Sequence, residues 1–160
     1  MSRVIFVCGP SGAGKTTYAR RLERAGAVRL SFDAESWRRG IPGFDVDEAL
    51  RQEIVAELQR RLLELVDAGR DVVLDLSFWS RAMRAEYRRL LAPAGVVPET
   101  IYLATDRETI VQRMRARRGS DADDVVVPDG VVEEYFDRFE PPTPDEGPLT
   151  VIGDAAPESS

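Results

Sequence analysis

Val4-Ile5-Phe6-Val7-Cys8 runs directly into Gly9-Pro10-Ser11-Gly12-Ala13-Gly14-Lys15-Thr16, and the reading of this junction decides the fold. The first five residues are continuously apolar and partly β-branched, the pattern of a strand buried on both faces in a parallel sheet. The next eight fit G-x-x-x-x-G-K-S/T in full. Small residues let the backbone wrap an anion with successive N–H groups pointing inward, and the helix that follows offers the positive end of its dipole. On this reading Gly9, Pro10, Ser11, Gly12, Ala13 and Gly14 cradle phosphates and Lys15 reaches the β- and γ-phosphates. Thr16 places its hydroxyl on Mg²⁺, and Thr17 contacts the α-phosphate region. The bland alternative is a glycine-rich turn with no ligand. Lys15 argues against it, because the other basic residues, of 22 in all, are arginine. A compact ammonium stands where a point charge between phosphates is required, and guanidinium substitutes poorly there.

Outward from the loop, strand and helix signals alternate. Lys15 to Ala25 reads as a helix with Ala19, Leu22 and Ala25 on one face, stopped by Gly26. Val28, Leu30 and Phe32 alternate with polar residues, so a second strand is expected to end at Asp33. Asp45-Val46-Asp47-Glu48 has the spacing of a capping box, and a long helix follows through Leu50, Ile54, Leu58, Leu62 and Leu65 to Gly69. Asp71 to Asp75 is a third strand, Ser80 to Leu91 a helix, Thr100 to Ala104 a fourth strand and Asp106 to Arg118 a helix. Gly130 to Phe139 reads as a short helix, Glu140 to Pro148 as a proline-rich loop and Leu149 to Ile152 as a fifth strand. The expected fold is α/β: a P-loop NTPase three-layer sandwich, an approximately five-stranded parallel sheet with helices on both faces and a small arginine lid over about 113–127. One domain is expected over 1–152, with a disordered tail over 153–160.

The 160 residues, 43% hydrophobic, suffice for one core. A net charge of −6 disfavours a general polyanion surface. Cys8 is the only cysteine, and histidine is absent, which excludes an internal disulfide, His-ligated metals and His-dependent base catalysis. The run before the loop is too short for a signal-peptide core or a membrane span, so a cytoplasmic protein is expected. GTPases usually read guanine through N-K-x-D, and a chain without asparagine or a second lysine has no such motif. ATP with Mg²⁺ is the expected cofactor pair.

Ligands of parallel α/β sheets lie outside the C-terminal strand ends, so the loop, Asp33 and Asp75 are expected on one rim. Asp33 faces an acceptor hydroxyl there and accepts its proton; the alternative is an N-cap for Ala34 to Arg39. Asp75 holds Mg²⁺ or contacts the acceptor; the alternative is a strand-end turn. Arg113, Arg115, Arg117 and Arg118 form a lid that neutralises the transferring group, or a solvated helix face. Asp121, Asp123 and Asp124 are expected to hold those arginines when nucleotide is absent. Trp37, Phe78 and Trp79 flank the carboxylates as an acceptor pocket, or as core.

Gly9 to Arg39, with Ser31-Phe32-Asp33 and Trp37-Arg38-Arg39, resembles the kinase domain of phage polynucleotide kinase and its zeta-toxin-like relatives. Val73-Leu74-Asp75 with Ser77 and Arg81, then Val111-Gln112-Arg113 with Arg118-Gly119, extend the resemblance over Val4 to Gly119. The resemblance implies that Asp33 is the general base, that Arg38 contacts acceptor or phosphate, and that Arg118, with Arg113, is the lid arginine. Leu76 follows Asp75, and Ser77 stands where an asparagine is usual, which leaves the acceptor open. Asp33, Trp37, Arg38, Asp75 and Ser77 are the acceptor-side candidates. The expected activity is ATP-dependent transfer of the γ-phosphoryl group to a hydroxyl of a small molecule, an antibiotic, sugar or nucleoside-like compound. The alternatives are a polynucleotide 5′-hydroxyl kinase, disfavoured by the acidic, short chain, and a nucleotide-binding switch or slow NTPase.

Overall fold

The computed structural model describes residues 2–9, 15–41, 47–78, 80–104, 108, 109, 112 and 139–153. Five strands, β1 (Val4–Cys8), β2 (Val28–Ser31), β3 (Val72–Ser77), β4 (Glu99–Ala104) and β5 (Leu149–Gly153), form one sheet in the order β2-β3-β1-β4-β5. Every neighbouring pair is parallel. The helices are α1 (Lys15–Arg24), α2 (Phe32–Arg38), α3 (Glu48–Asp67) and α4 (Arg81–Leu91).

Alternation along β1 divides the core. Val4, Phe6 and Cys8 point to one face, where Leu30, Leu74 and Phe78 meet Ile54, Leu58 and Leu62 of α3 and Tyr87 and Leu91 of α4. Ile5 and Val7 point to the other, with Val73, Ile101, Leu103 and Ala19 of α1. Because the strand period is two, a strand covered on both faces must be apolar at every position, and β1 is buried throughout. The three-layer arrangement expected from the alternation is therefore present.

Of the boundaries that differ from the sequence reading, two move a carboxylate. β2 stops at Ser31, whose hydroxyl accepts the Ala34 N–H at 3.1 Å and caps α2. Asp33 accordingly lies in the first turn of α2 and is neither a strand terminus nor the N-cap. An acidic residue there is favoured by the helix dipole. β3 continues past Asp75 to Ser77, so Asp75 stands inside a strand. Phe6 pairs with Leu74 and Cys8 with Ser77, so β3 carries one residue more than β1 across this interval. Such a bulge re-aims the side chains beside it, and Asp75 is one of them.

The long helix starts at Glu48, with Asp47 and not Asp45 as the observed cap: Asp47 accepts the Leu50 N–H at 2.8 Å. Ser80 caps α4 through the Met83 N–H at 3.1 Å. Pro10, Ser11, Gly12, Ala13, Gly14, Asp45, Trp79, Arg113, Arg117, Arg118, the lid over 113–127, its aspartates and the tail over 154–160 lie outside the described residues, whereas Gly153, expected in the tail, pairs with Ala104 as the last residue of β5. So does the helix expected over 130–139, apart from Phe139. Of the helix expected from Asp106, Glu108, Thr109 and Gln112 are described and helical. Among the described residues, no helix is long and apolar enough to cross a membrane.

Candidate active site

The chain leaves β1 through buried Gly9, whose φ of 147° suits glycine, and re-enters regular structure at Lys15, the first residue of α1. The sequence thus places the lysine at a helix N-terminus beside the central strand. Lys15 is buried, and its ammonium donates to Asp75 Oδ1 at 2.6 Å. On the other carboxylate oxygen, Oδ2, Arg29 Nη2 lies at 2.9 Å and Nε at 3.1 Å, with the Thr16 hydroxyl at 3.4 Å. Strand register explains the meeting: Ser31 of β2 pairs with Asp75 of β3, so Arg29 sits two residues back on the same face. That face is the one α1 covers.

The Asp75 side chain is 1% exposed. Burial opposes its ionisation, but the Lys15 ammonium and the Arg29 guanidinium outweigh burial and hold the carboxyl below its ordinary value. Two cations, one from α1 and one from β2, thus converge on this one carboxylate. Thr16 and Asp75 are hard oxygen donors of the kind Mg²⁺ takes. Among the described residues, no group of three or more His, Cys, Asp or Glu side chains comes together as a cation site. Mg²⁺ here would be held by Thr16 and Asp75 jointly with a ligand's phosphates.

Asp33 is half-buried in α2, beyond the C-terminal end of the strand that neighbours β3. Thr17 is exposed on α1. Arg38 lies on the outer side of α2 with its side chain 70% exposed, and its Nε donates to Glu35 at 3.2 Å. The hydrogen bond from Arg38, reinforced by Arg39 Nε at 2.9 Å, holds the buried Glu35 carboxyl below its ordinary value against the pull of burial. Trp37 is 42% exposed and is not core, whereas Phe78 is fully buried and is. Of the aromatics expected to flank the two carboxylates, the two that are described therefore divide, Trp37 outward and Phe78 inward.

Three residues of this region were not singled out from sequence. Arg29 looks like a solvent-facing residue of an alternating strand. Arg84, wholly buried in α4, donates Nη1 to the Phe78 carbonyl at 2.7 Å and Nε to Glu146 at 2.7 Å. Glu146 falls in the proline-rich loop, where Thr143-Pro144-Asp145-Glu146 has the T-x-x-E spacing that could have revealed it.

A family model described as an AAA domain, AAA_33, matches residues 4–142. The adenylyl-sulfate kinase of Aeromonas salmonicida (strain A449) is 38% identical over 93 residues, 55% of this chain and 47% of that protein, so the chain spans about half of its length. A sugar kinase from Janibacter sp. HTCC2649 superposes with a TM-score of 0.71 at 23% identity, covering 98% of this chain and 88% of that one. A chain of the Pnkp1/Rnl/Hen1 RNA repair complex gives a TM-score of 0.73 at 15% identity, over 86% of this chain and 43% of that one. At these identities the structural likenesses establish the fold. With the strand order β2-β3-β1-β4-β5, the glycine-rich loop signature and a family match over residues 4–142, the chain belongs to the AAA_33 family of AAA domains.

Proposed function

We propose that the chain, as one domain over 1–152, is an ATP-dependent phosphotransferase that moves the γ-phosphoryl group to a hydroxyl of a small molecule. The observation that carries this reading is the buried Lys15–Asp75–Arg29 cluster, which sets the lysine of the loop signature against an acid of β3, with Asp33 half-buried in α2, the element that follows β2. The loop over Gly9 to Thr16 and the start of α1 bind the phosphates. Lys15 neutralises charge on the β- and γ-groups, where developing negative charge must be met by preorganised donors. Asp33 orients the acceptor hydroxyl and takes its proton as the oxygen bonds to the γ-phosphorus and the bond to the β-phosphate oxygen breaks. Mg²⁺, when bound, supplies further neutralisation of the phosphates. Arg118, with Arg113 and Arg117, is assigned to the phosphates on sequence grounds, and Trp37, Arg38 and Ser77 to the acceptor side.

Transfer of label from γ-labelled ATP to a panel of sugars, nucleosides, aminoglycoside-like compounds and 5′-hydroxyl oligonucleotides tests the reading. Asp33→Asn should still bind an ATP analogue and lose transfer by about 10²- to 10⁴-fold, the range of a general base. If the variant transfers label as fast as the parent, Asp33 is not the base. A protein that hydrolyses ATP while no hydroxyl compound takes label would instead be a switch or slow NTPase.

One observation favours a polynucleotide acceptor as the second reading. Trp37 presents an exposed ring beside the exposed Arg38 on α2, a pairing suited to stacking a base while holding a phosphate. Label on the oligonucleotide alone, with affinity falling steeply in salt and reduced in Trp37→Ala, would select it.

A further inference from the structure

The P-loop lysine begins bound to a carboxylate. Lys15 Nζ is 2.6 Å from Asp75 Oδ1, with the two side chains 6% and 1% exposed. For Lys15 to reach the phosphates it must leave Asp75. A buried carboxylate stripped of its partner is costly, because nothing replaces the lost hydration. An ion pair of this kind would act as a trap, holding the lysine on the protein and away from the ligand.

Arg29 removes that penalty. Its Nη2 and Nε both reach Asp75 Oδ2, at 2.9 and 3.1 Å, so the carboxylate keeps a charge-assisted partner when Oδ1 is vacated. The guanidinium comes from β2 and the ammonium from α1, so one can stay while the other moves. Guanidinium is also the cation that suits a fixed buried pair, being planar, always charged and more weakly hydrated than an ammonium. We propose that Arg29 is a positioning residue that releases Lys15: it keeps Asp75 satisfied, so that the lysine can transfer to the phosphates of a bound nucleotide. This inference rests on the reading of the loop as a nucleotide site, and it adds a reason for two cations on one carboxylate.

The test is binding of a non-hydrolysable ATP analogue, followed by titration calorimetry in EDTA so that any metal role of Asp75 drops out. Arg29→Met should weaken binding about tenfold or more, since Lys15 is then the one cation that the described residues place on Asp75. Asp75→Asn removes the trap and should bind at least as well as the parent. Adding Asp75→Asn to Arg29→Met should restore affinity to within about threefold of Asp75→Asn alone. A merely structural arginine would not give this rescue. The pair Asp75→Asn and Arg29→Met/Asp75→Asn also stands without the Arg29→Met single variant, should that variant not fold. A further loss on adding Arg29→Met to Asp75→Asn means that Arg29 contacts the phosphates itself, and overturns the proposal. Arg29→Met binding within about twofold of the parent overturns it as well. If the unaltered protein binds no analogue even with Mg²⁺ restored, the nucleotide reading itself fails, which is a different result from either.

Discussion

Phe78 is the residue, other than glycine, that takes a positive φ among those described, at 50°. Left-handed backbone costs an L side chain roughly 1–2 kcal/mol, so something must hold it. Its ring is fully buried, stacked on Phe6 at 4.2 Å and set edge-on to Tyr87 at 5.2 Å. Its carbonyl accepts from Arg84 Nη1 at 2.7 Å and from the Cys8 thiol at 3.4 Å. Burying a phenylalanine is worth about 1.5–3 kcal/mol, which offsets the backbone strain. Phe78→Ala keeps the backbone demand and loses the ring, so denaturant titration should show a loss of about 3–5 kcal/mol. Cys8 lies beneath the same carbonyl. Burial pushes its thiol up to about 12, with Arg84 acting weakly in the other direction. Thiolate is the reactive form, so at pH 8 the native protein should resist iodoacetamide while the urea-unfolded chain is alkylated. Mass spectrometry reads the difference, and rapid modification of the native protein would show that Cys8 is not enclosed.

At the scale of elements, the buried tie between α4 and the segment before β5 centres on one carboxylate, Glu146. Glu146 accepts from Arg84 Nε at 2.7 Å and Nη2 at 3.2 Å, and from Arg88 Nη1 at 3.3 Å. Its side chain is 3% exposed and that of Arg84 is 0%. Removing one partner of a buried pair leaves the other charge stranded. Glu146→Ala should therefore cost on the order of 3–5 kcal/mol, whereas Arg81→Ala, which removes an exposed guanidinium paired with Asp145 and more distantly with Glu146, should cost much less. Burial opposes ionisation of Glu146, but the Arg84 hydrogen bond and the Thr143 N–H outweigh it and hold the carboxyl at about 2, against 4.5 ordinarily. A depressed folded value means that the stabilisation is complete above about pH 4.5 and is lost as pH falls toward 2. Urea midpoints measured across that interval should fall with acid in the parent and fall less in Glu146→Gln. Equal slopes would mean that Glu146 has no special partner.

This tie also marks where sequence reading stopped. The strands and long helices were legible because burial imposes a period of two or of 3.6 on the chain. The end of β2 was not, since Val28, Leu30 and Phe32 go on alternating after the Ser31 cap has turned the backbone into α2. Asp75 was legible as a carboxylate on a buried strand. Its partners were not, because Arg29 and Lys15 stand 46 and 60 residues away and meet it only through strand register and the loop-to-helix turn.

At the scale of the whole molecule, β1 is the middle strand of the sheet, and the loop and α1 issue from its C-terminal end. Both core clusters include β1 side chains, so the site cannot stay formed while either core is lost. Occupancy of the site should therefore stabilise the entire domain and not a local segment. A ligand that binds only the folded state adds RT ln(1 + [L]/Kd), about 2.7 kcal/mol at 100 times Kd. For a domain of this length, 1 kcal/mol moves Tm by about 2–4 °C, so saturating ATP analogue with Mg²⁺ should raise Tm by about 5–10 °C. Adenosine, which lacks phosphates, should give no comparable shift, and Lys15→Ala should lose most of the rise. The Asp33→Asn variant should keep it, because Asp33 is assigned to the acceptor and not to the nucleotide. Differential scanning calorimetry separates these cases. A rise that survives in Lys15→Ala would mean that the nucleotide binds elsewhere, and equal shifts from adenosine and the triphosphate would remove the phosphates from the recognition altogether.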